Sequence, residues 1–158
     1  MLIVGIDPGK KGAICEYYED QDIIKFYPMD IDIFIDLVKK WRTEMPHVYL
    51  EKAQAMPTQG VRSMFNYGRH YGMLEGILLG ASINYEAVAP QTWTSVMTRD
   101  YLGETGKERA LEAVKFLFPD VNLLATKRSK KPHDGFVDAL LIAEYGKRRI
   151  ENEQKEIL

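Results

Sequence analysis

The sequence predicts an α/β fold, a mixed five-stranded sheet flanked by helices, and three observations point to it. Short, largely apolar runs at 2–6, 13–18, 22–28, 47–51 and 83–88 are bounded by turn residues, as strands are. The first three are joined by links too short for a helix and read as strands connected by tight turns. From residue 30 onward, strands alternate with longer stretches of helical period, the pattern of a sheet covered by helices.

Each element has its own local reason. Leu2, Ile3, Val4 and Ile6 form a buried run that stops at Asp7, where Pro8-Gly9 forces a turn. Ala13-Ile14 opens the second run, and Glu19-Asp20-Gln21-Asp22 is polar enough for a hairpin tip before the third. Ile31, Phe34, Ile35, Val38 and Trp41 recur at helical spacing, so a helix is expected over 30–43 with Asp30 near its start. "HVYLE" (47–51) is a short strand that also ends in a carboxylate. A long helix is expected over 61–81, a strand over 83–88, and helices over 90–98 and 105–117. The stretch 119–131 is polar and basic, and a last helix starts near Pro132 and runs to about Arg149.

Gly68, Gly72, Gly76 and Gly80 fall at i+4 intervals on one side of the long helix. Each interior glycine costs about 1 kcal/mol relative to alanine, so four cost roughly 3–4 kcal/mol. Such a stripe implies close approach by another backbone. The expectation is packing within the domain, on its sheet or last helix, ahead of a subunit interface.

The totals bound the function. A chain of 158 residues is one domain, 1–158, with room for a sizeable core. No apolar run approaches the roughly 20 residues of a membrane span, and no basic leader precedes the first strand. Cys15 stands alone, which excludes an internal disulfide and suits a cytoplasmic location. The net charge of −2 does not announce a nucleic-acid partner, so one must be argued from local basic clusters.

Four carboxylates stand out. Asp7 and Glu51 each close a strand, and lie side by side if those strands are neighbours. Asp134 and Asp138 are four apart in "KPHDGFVDALLIAEYG", hence on one helix face, among Phe136, Val137, Ala139, Leu140, Leu141, Ile142 and Ala143. An aspartate facing packed apolar residues is costly without a cation. Singly, each has an ordinary explanation: turn chemistry for Asp7, the helix dipole for Asp134, a lysine partner (Lys52 or Lys107) for Glu51, solvation for Asp138. Jointly they point to a divalent cation. Hard oxygen donors without a Cys or His cluster indicate Mg²⁺ or Mn²⁺ in place of zinc.

"GIDPG", "YLEKA" and "HDGFVDALLIAEYG", in that order and at these separations, resemble RuvC-type Holliday junction resolvases, the phage-encoded branch above all. "PQTW" (90–93) and "GKERALEAVKFLFP" (106–119) fit the same pattern, so the resemblance runs from Leu2 to about Arg149. It implies a ribonuclease-H-like fold and a homodimeric endonuclease that nicks four-way DNA junctions, and other branched DNA, symmetrically. By the same resemblance Asp7, Glu51, Asp134 and Asp138 are the catalytic residues and metal ligands, with two Mg²⁺ (or Mn²⁺) per active site. Lys107 falls where the family has a phosphate-contacting lysine. Two departures stand out: the last acidic pair is spaced four apart where bacterial members use three, and Gln54 replaces an aromatic wedge. On helical spacing both aspartates face Asp7, and His133, rotated about 100° from Asp134, points away as an accessory residue, with the third ligand position left open between Asp134 and His133.

Phosphate binding needs cations around this acidic centre. The candidates are Lys10, Lys11, Arg62, Arg69, Lys107 and Arg109, and the cluster Lys127, Arg128, Lys130 and Lys131, which leads into the last helix. Lys147, Arg148 and Arg149 read as solvated surface charge. Competing readings are a related nuclease acting on structured RNA and a non-catalytic junction-binding protein. A two-lobed ATPase of similar turn motif needs more chain than this.

Overall fold

In the computed structural model, which describes residues 1–54 and 58–157, five strands form one sheet. β1 (Leu2–Asp7), β2 (Ala13–Tyr18) and β3 (Ile23–Pro28) are antiparallel neighbours, with one 3₁₀ turn, Glu19–Gln21, between the second and third. Helix α1 (Ile31–Glu44) then leads to β4 (His47–Glu51), which pairs parallel to β1. Helix α2 (Val61–Gly80) leads to β5 (Tyr85–Val88), parallel to β4. The spatial order is β3-β2-β1-β4-β5, followed in sequence by α3 (Pro90–Met97), α4 (Gly106–Leu117) and α5 (Asp134–Ile157).

β1 is central and covered on both faces. Its pleat sends Leu2, Val4 and Ile6 to a core built with Phe34, Val38 and Trp41 of α1 and Leu74 and Leu78 of α2. Ile3 points the other way, into a second core under α3, α4 and α5. Asp30 caps α1, its side chain accepting from the Asp32 and Ile33 amides at 2.9 and 3.0 Å. Thr105 and Glu108 close a capping box on α4.

Two expectations change. α5 continues eight residues beyond Arg149, to Ile157, because Lys147–Glu151 and Arg149–Glu153 pair at i+4 and neither Gly nor Pro interrupts them. The glycine stripe of α2 does not pack inside the molecule: a Cβ added at Gly68, Gly72, Gly76 or Gly80 meets nothing within 4 Å. The close approaches lie elsewhere. A Cβ on Gly5 would sit on the Ala139 carbonyl, and one on Gly135 would lie 2.6 Å from the Lys11 carbonyl. These two glycines let α5 rest directly on β1 and on the turn that follows it. Among the described residues no helix is long and apolar enough to cross a membrane.

Candidate metal centre

The pleat that buries Ile6 and Leu50 on one face turns Asp7 and Glu51 to the other, the face of α5. Ile6 is in register with Leu50, so the two carboxylates end adjacent parallel strands side by side. α5 lies over Gly5 by way of Ala139 and Ala143 and so brings Asp138 to the same place. The first turn of α5 is fixed by aromatic packing. Phe136 stacks on Phe26 of β3 at 4.7 Å, and the His133 ring lies 4.4 Å from Phe136 on its own chain segment.

Three half-buried carboxylates therefore crowd one end of the sheet. Burial pushes Asp138 up from 3.8 to about 7, helped by the charges of Asp7, Glu51 and Asp134. Burial and Asp7 push Glu51 up to about 7, against the opposing pull of the Trp93 indole, which donates to Glu51 Oε2 at 2.7 Å. Asp7 is raised by burial and eased by the Gly9 amide at 3.0 Å and by the His133 imidazole. Among the described residues no Lys or Arg forms an ion pair with Asp7, Glu51 or Asp138. Glu51 takes the indole, not Lys52 or Lys107.

The outer pair behaves differently from the helical-spacing expectation. Asp134 is 62% exposed and bonds Lys107 Nζ at 2.6 Å, at the rim. His133 eases Asp7, while Asp134 bears on Asp138. The reason is that α5 begins at Asp134, so His133 lies before the helix and the 100° step does not govern it. Its ring folds back to accept the Phe136 amide on Nδ1 at 3.3 Å.

Donor chemistry fits a hard divalent cation: oxygen ligands, no thiolate, and mutual repulsion that a cation relieves. Among the described residues no three acidic, histidine or cysteine side chains stand as a ready-made cage for one ion. The carboxylates are neighbours, not a closed coordination shell.

The basic candidates divide by position. Lys107 and Lys131 line a small cleft with Asp134 and Asp138. Lys10 and Arg62 line a larger one of about 1130 Å³ with Glu51, Gln54, Tyr67 and Gln91. Lys11, Arg69, Lys127, Arg128 and Lys130 are on the surface and line neither. Arg109 donates to the Gly103 carbonyl at 3.1 Å and holds the loop before α4. Lys147, Arg148 and Arg149 are engaged within the fold, Arg149 with Glu86 of β5.

Trp93 and Tyr67 are functional candidates that strand and helix periods do not reveal. Tyr67 lines the larger cleft with Glu51, and burial, Glu51 and Asp7 push its phenol up to about 12. A tryptophan just after a strand, in "PQTW", is the one available signal for the first. Tyr67 leaves none, since its neighbours are set by how α2 crosses the strand ends.

No protein-family profile and no curated protein matches the sequence. Solved structures do. The chain is similar to RuvC of Thermus thermophilus in complex with Holliday junction substrate, with a TM-score of 0.61, 16% identity, and coverage of 95% of this chain and 96% of that one. A second Thermus thermophilus RuvC structure matches with a TM-score of 0.58 and 16% identity, over 96% of this chain and 97% of that one. From end to end, the mixed sheet and its helices have the RuvC, ribonuclease-H-like fold.

Proposed function

We propose that the chain is a divalent-metal-dependent endonuclease of the RuvC type, in its phage-encoded branch, acting in the cytoplasm. Its substrate is branched DNA, chiefly four-way junctions, resolved by paired symmetric nicks. One observation carries the reading: carboxylates from β1, β4 and α5 crowd one end of a sheet whose fold matches a resolvase solved on a Holliday junction. Asp7, Glu51 and Asp138, with Asp134 or His133 at the rim, would hold two Mg²⁺ ions, or Mn²⁺ in their place. Such ions, when bound, supply an activated water and stabilise the departing 3′ oxygen.

The chain's own residues do the rest. Trp93 holds one oxygen of Glu51 in place, and α5 presents Asp138 one turn in from its N-terminus. Lys10, Arg62, Lys107 and Lys131 draw phosphate to the two clefts, and Lys11, Arg69, Lys127, Arg128 and Lys130 extend the positive surface along the strand path. Two coordinated nicks need two active sites, which we assign to a homodimer seated on α2. That helix leaves Val61, Phe65, Met73 and Leu79 exposed beside its bare glycines, which favours a second copy there.

The test is a labelled four-way junction, its matching duplex and a structured RNA, each incubated with Mg²⁺ and with EDTA. Symmetric junction nicking in Mg²⁺ alone is expected, with 5′-phosphate and 3′-hydroxyl ends. Preferential cutting of RNA would redirect the reading to a ribonuclease, and binding without cutting to a junction-binding protein. Asp7→Asn is expected to abolish nicking while leaving the gel shift intact, because the amide keeps the shape and loses the charge. Wild-type nicking by that variant would remove Asp7 from the mechanism.

A further inference from the structure

The larger cleft opens beside Glu51, and its lining includes a contact with no part in the hydrolysis proposed above. Gln54 Nε2 donates to Gln91 Oε1 at 2.9 Å, and Gln91 Nε2 donates to Gln54 Oε1 at 3.0 Å. Both side chains line the cleft with Glu51, Lys10, Lys52 and Arg62. The pair is tied to Glu51 at both ends. Gln54 lies three residues beyond it, past Lys52, whose amide donates to the Val88 carbonyl at 2.8 Å. Gln91 is in the first turn of α3, which Trp93 anchors to Glu51.

A reciprocal carboxamide pair open to water stabilises the fold little, because water satisfies the same groups. Its content is the pattern it holds ready. Each carboxamide offers one donor and one acceptor side by side, which is the complement of N6–H and N7 on adenine. An adenine edge entering the cleft replaces one amide with two equivalent hydrogen bonds, so the pair opens without net loss. Guanine offers only acceptors on that edge, cytosine one donor, and thymine one acceptor beside a methyl group. Each of these, by shutting water out of the contact, leaves an amide group without a partner, which is costly. The Tyr67 ring in the same wall offers a stacking face, and Lys10, Lys52 and Arg62 offer charge to the flanking phosphates.

We infer that Gln54 and Gln91 form a base-reading latch that gives cleavage a preference for adenine beside the scissile phosphate. The inference rests on the nuclease reading above. The experiment uses four-way junctions that differ only in the base at each nucleotide flanking the cut, with initial nicking rates measured in Mg²⁺. Wild type is expected to cut one adenine-bearing junction roughly ten-fold or more faster than its counterparts. Gln54→Ala and Gln91→Ala should each level the four rates by slowing the adenine junction. Gln54→Glu, which only accepts at its tip, should move the preference to cytosine, whose N4 amino group donates. A purely structural glutamine predicts no such move. Equal wild-type rates on all four bases, or an adenine preference that survives these substitutions, overturns the latch and leaves the nuclease standing. Failure of wild type to cut any junction overturns both.

Discussion

Burial holds Glu51 and Asp138 at about 7, helped by Asp7 at Glu51 and by Asp7, Glu51 and Asp134 at Asp138, whereas an unfolded chain ionises them near 4.5 and 3.8. Between those values the folded state keeps protons that the unfolded state has lost. The stability of the metal-free protein must therefore fall as pH rises through that window, with the full penalty reached above the folded values. A divalent cation relieves the penalty only where the carboxylates are ionised. Mg²⁺ is expected to raise the melting temperature by several degrees at about pH 8 and hardly at all at about pH 5, as read by calorimetry. Equal effects at both would mean that the three acids do not share a cation. His133 and Asp134 provide a second comparison. Because His133 bears on Asp7 while Asp134 is taken up by Lys107, His133→Ala is expected to lose more nicking than Asp134→Asn at saturating Mg²⁺. Helical spacing predicts the reverse order, so single-turnover rates of the two variants separate the two geometries.

At the scale of elements, α5 is the part that assembles the centre, and its seat is two glycines. Gly5 faces the Ala139 carbonyl and the Ala143 amide, backbone groups that cannot rotate away as a side chain can. Gly5→Ala must push α5 off β1, and overpacking of this kind typically costs about 1–3 kcal/mol. A loss of that size is expected in urea denaturation, with nicking falling further than stability because Asp138 moves with the helix. If stability is unchanged, α5 does not rest on β1 this closely. The strand pairing that aligns Asp7 with Glu51 is the other half of the assembly, and it was legible only conditionally. Two apolar runs ending in acids announce the residues, while their adjacency depends on β4 joining the sheet beside β1 and not at an edge.

For the whole molecule, the outward stripe on α2 is the feature that a lone chain leaves unexplained. Four glycines that touch nothing weaken that helix by roughly 3–4 kcal/mol, with no internal contact to offset the loss. A second copy packed along the stripe, as in the homodimer proposed above, would supply the missing contact and the second active site. Light scattering of the purified protein should give a dimer. Gly72→Arg is expected to yield a monomer that stays folded, since the added side chain meets only open space within its own chain. That monomer should lose the pairing of the two nicks while still nicking singly. A wild-type monomer, with or without junction DNA, or a Gly72→Arg dimer would refute the interface.

The order and kind of the elements follow from sequence alone, because hydrophobic period, caps and turn residues act over a few neighbours. Asp30 at the start of α1, the turn at Pro8-Gly9 and, to within two residues, the helix opening near Pro132 are local facts and read correctly. The candidate acids were legible for the same reason: each stands at a strand end or on a helix face whose apolar neighbours make it conspicuous. What each side chain meets was decided by the tertiary structure. Trp93 reaches Glu51 across 42 residues, Gln54 reaches Gln91 across 37, and Lys107 takes Asp134 across 27. The direction of the α2 glycines belongs to the same class, since a stripe has a period in the sequence but no sign of inside or outside. Period is a property of the backbone and can be counted. Partnership depends on sheet order, pleat and how closely two backbones approach, and at Gly5 and Gly135 that approach is set by atoms far apart in the chain.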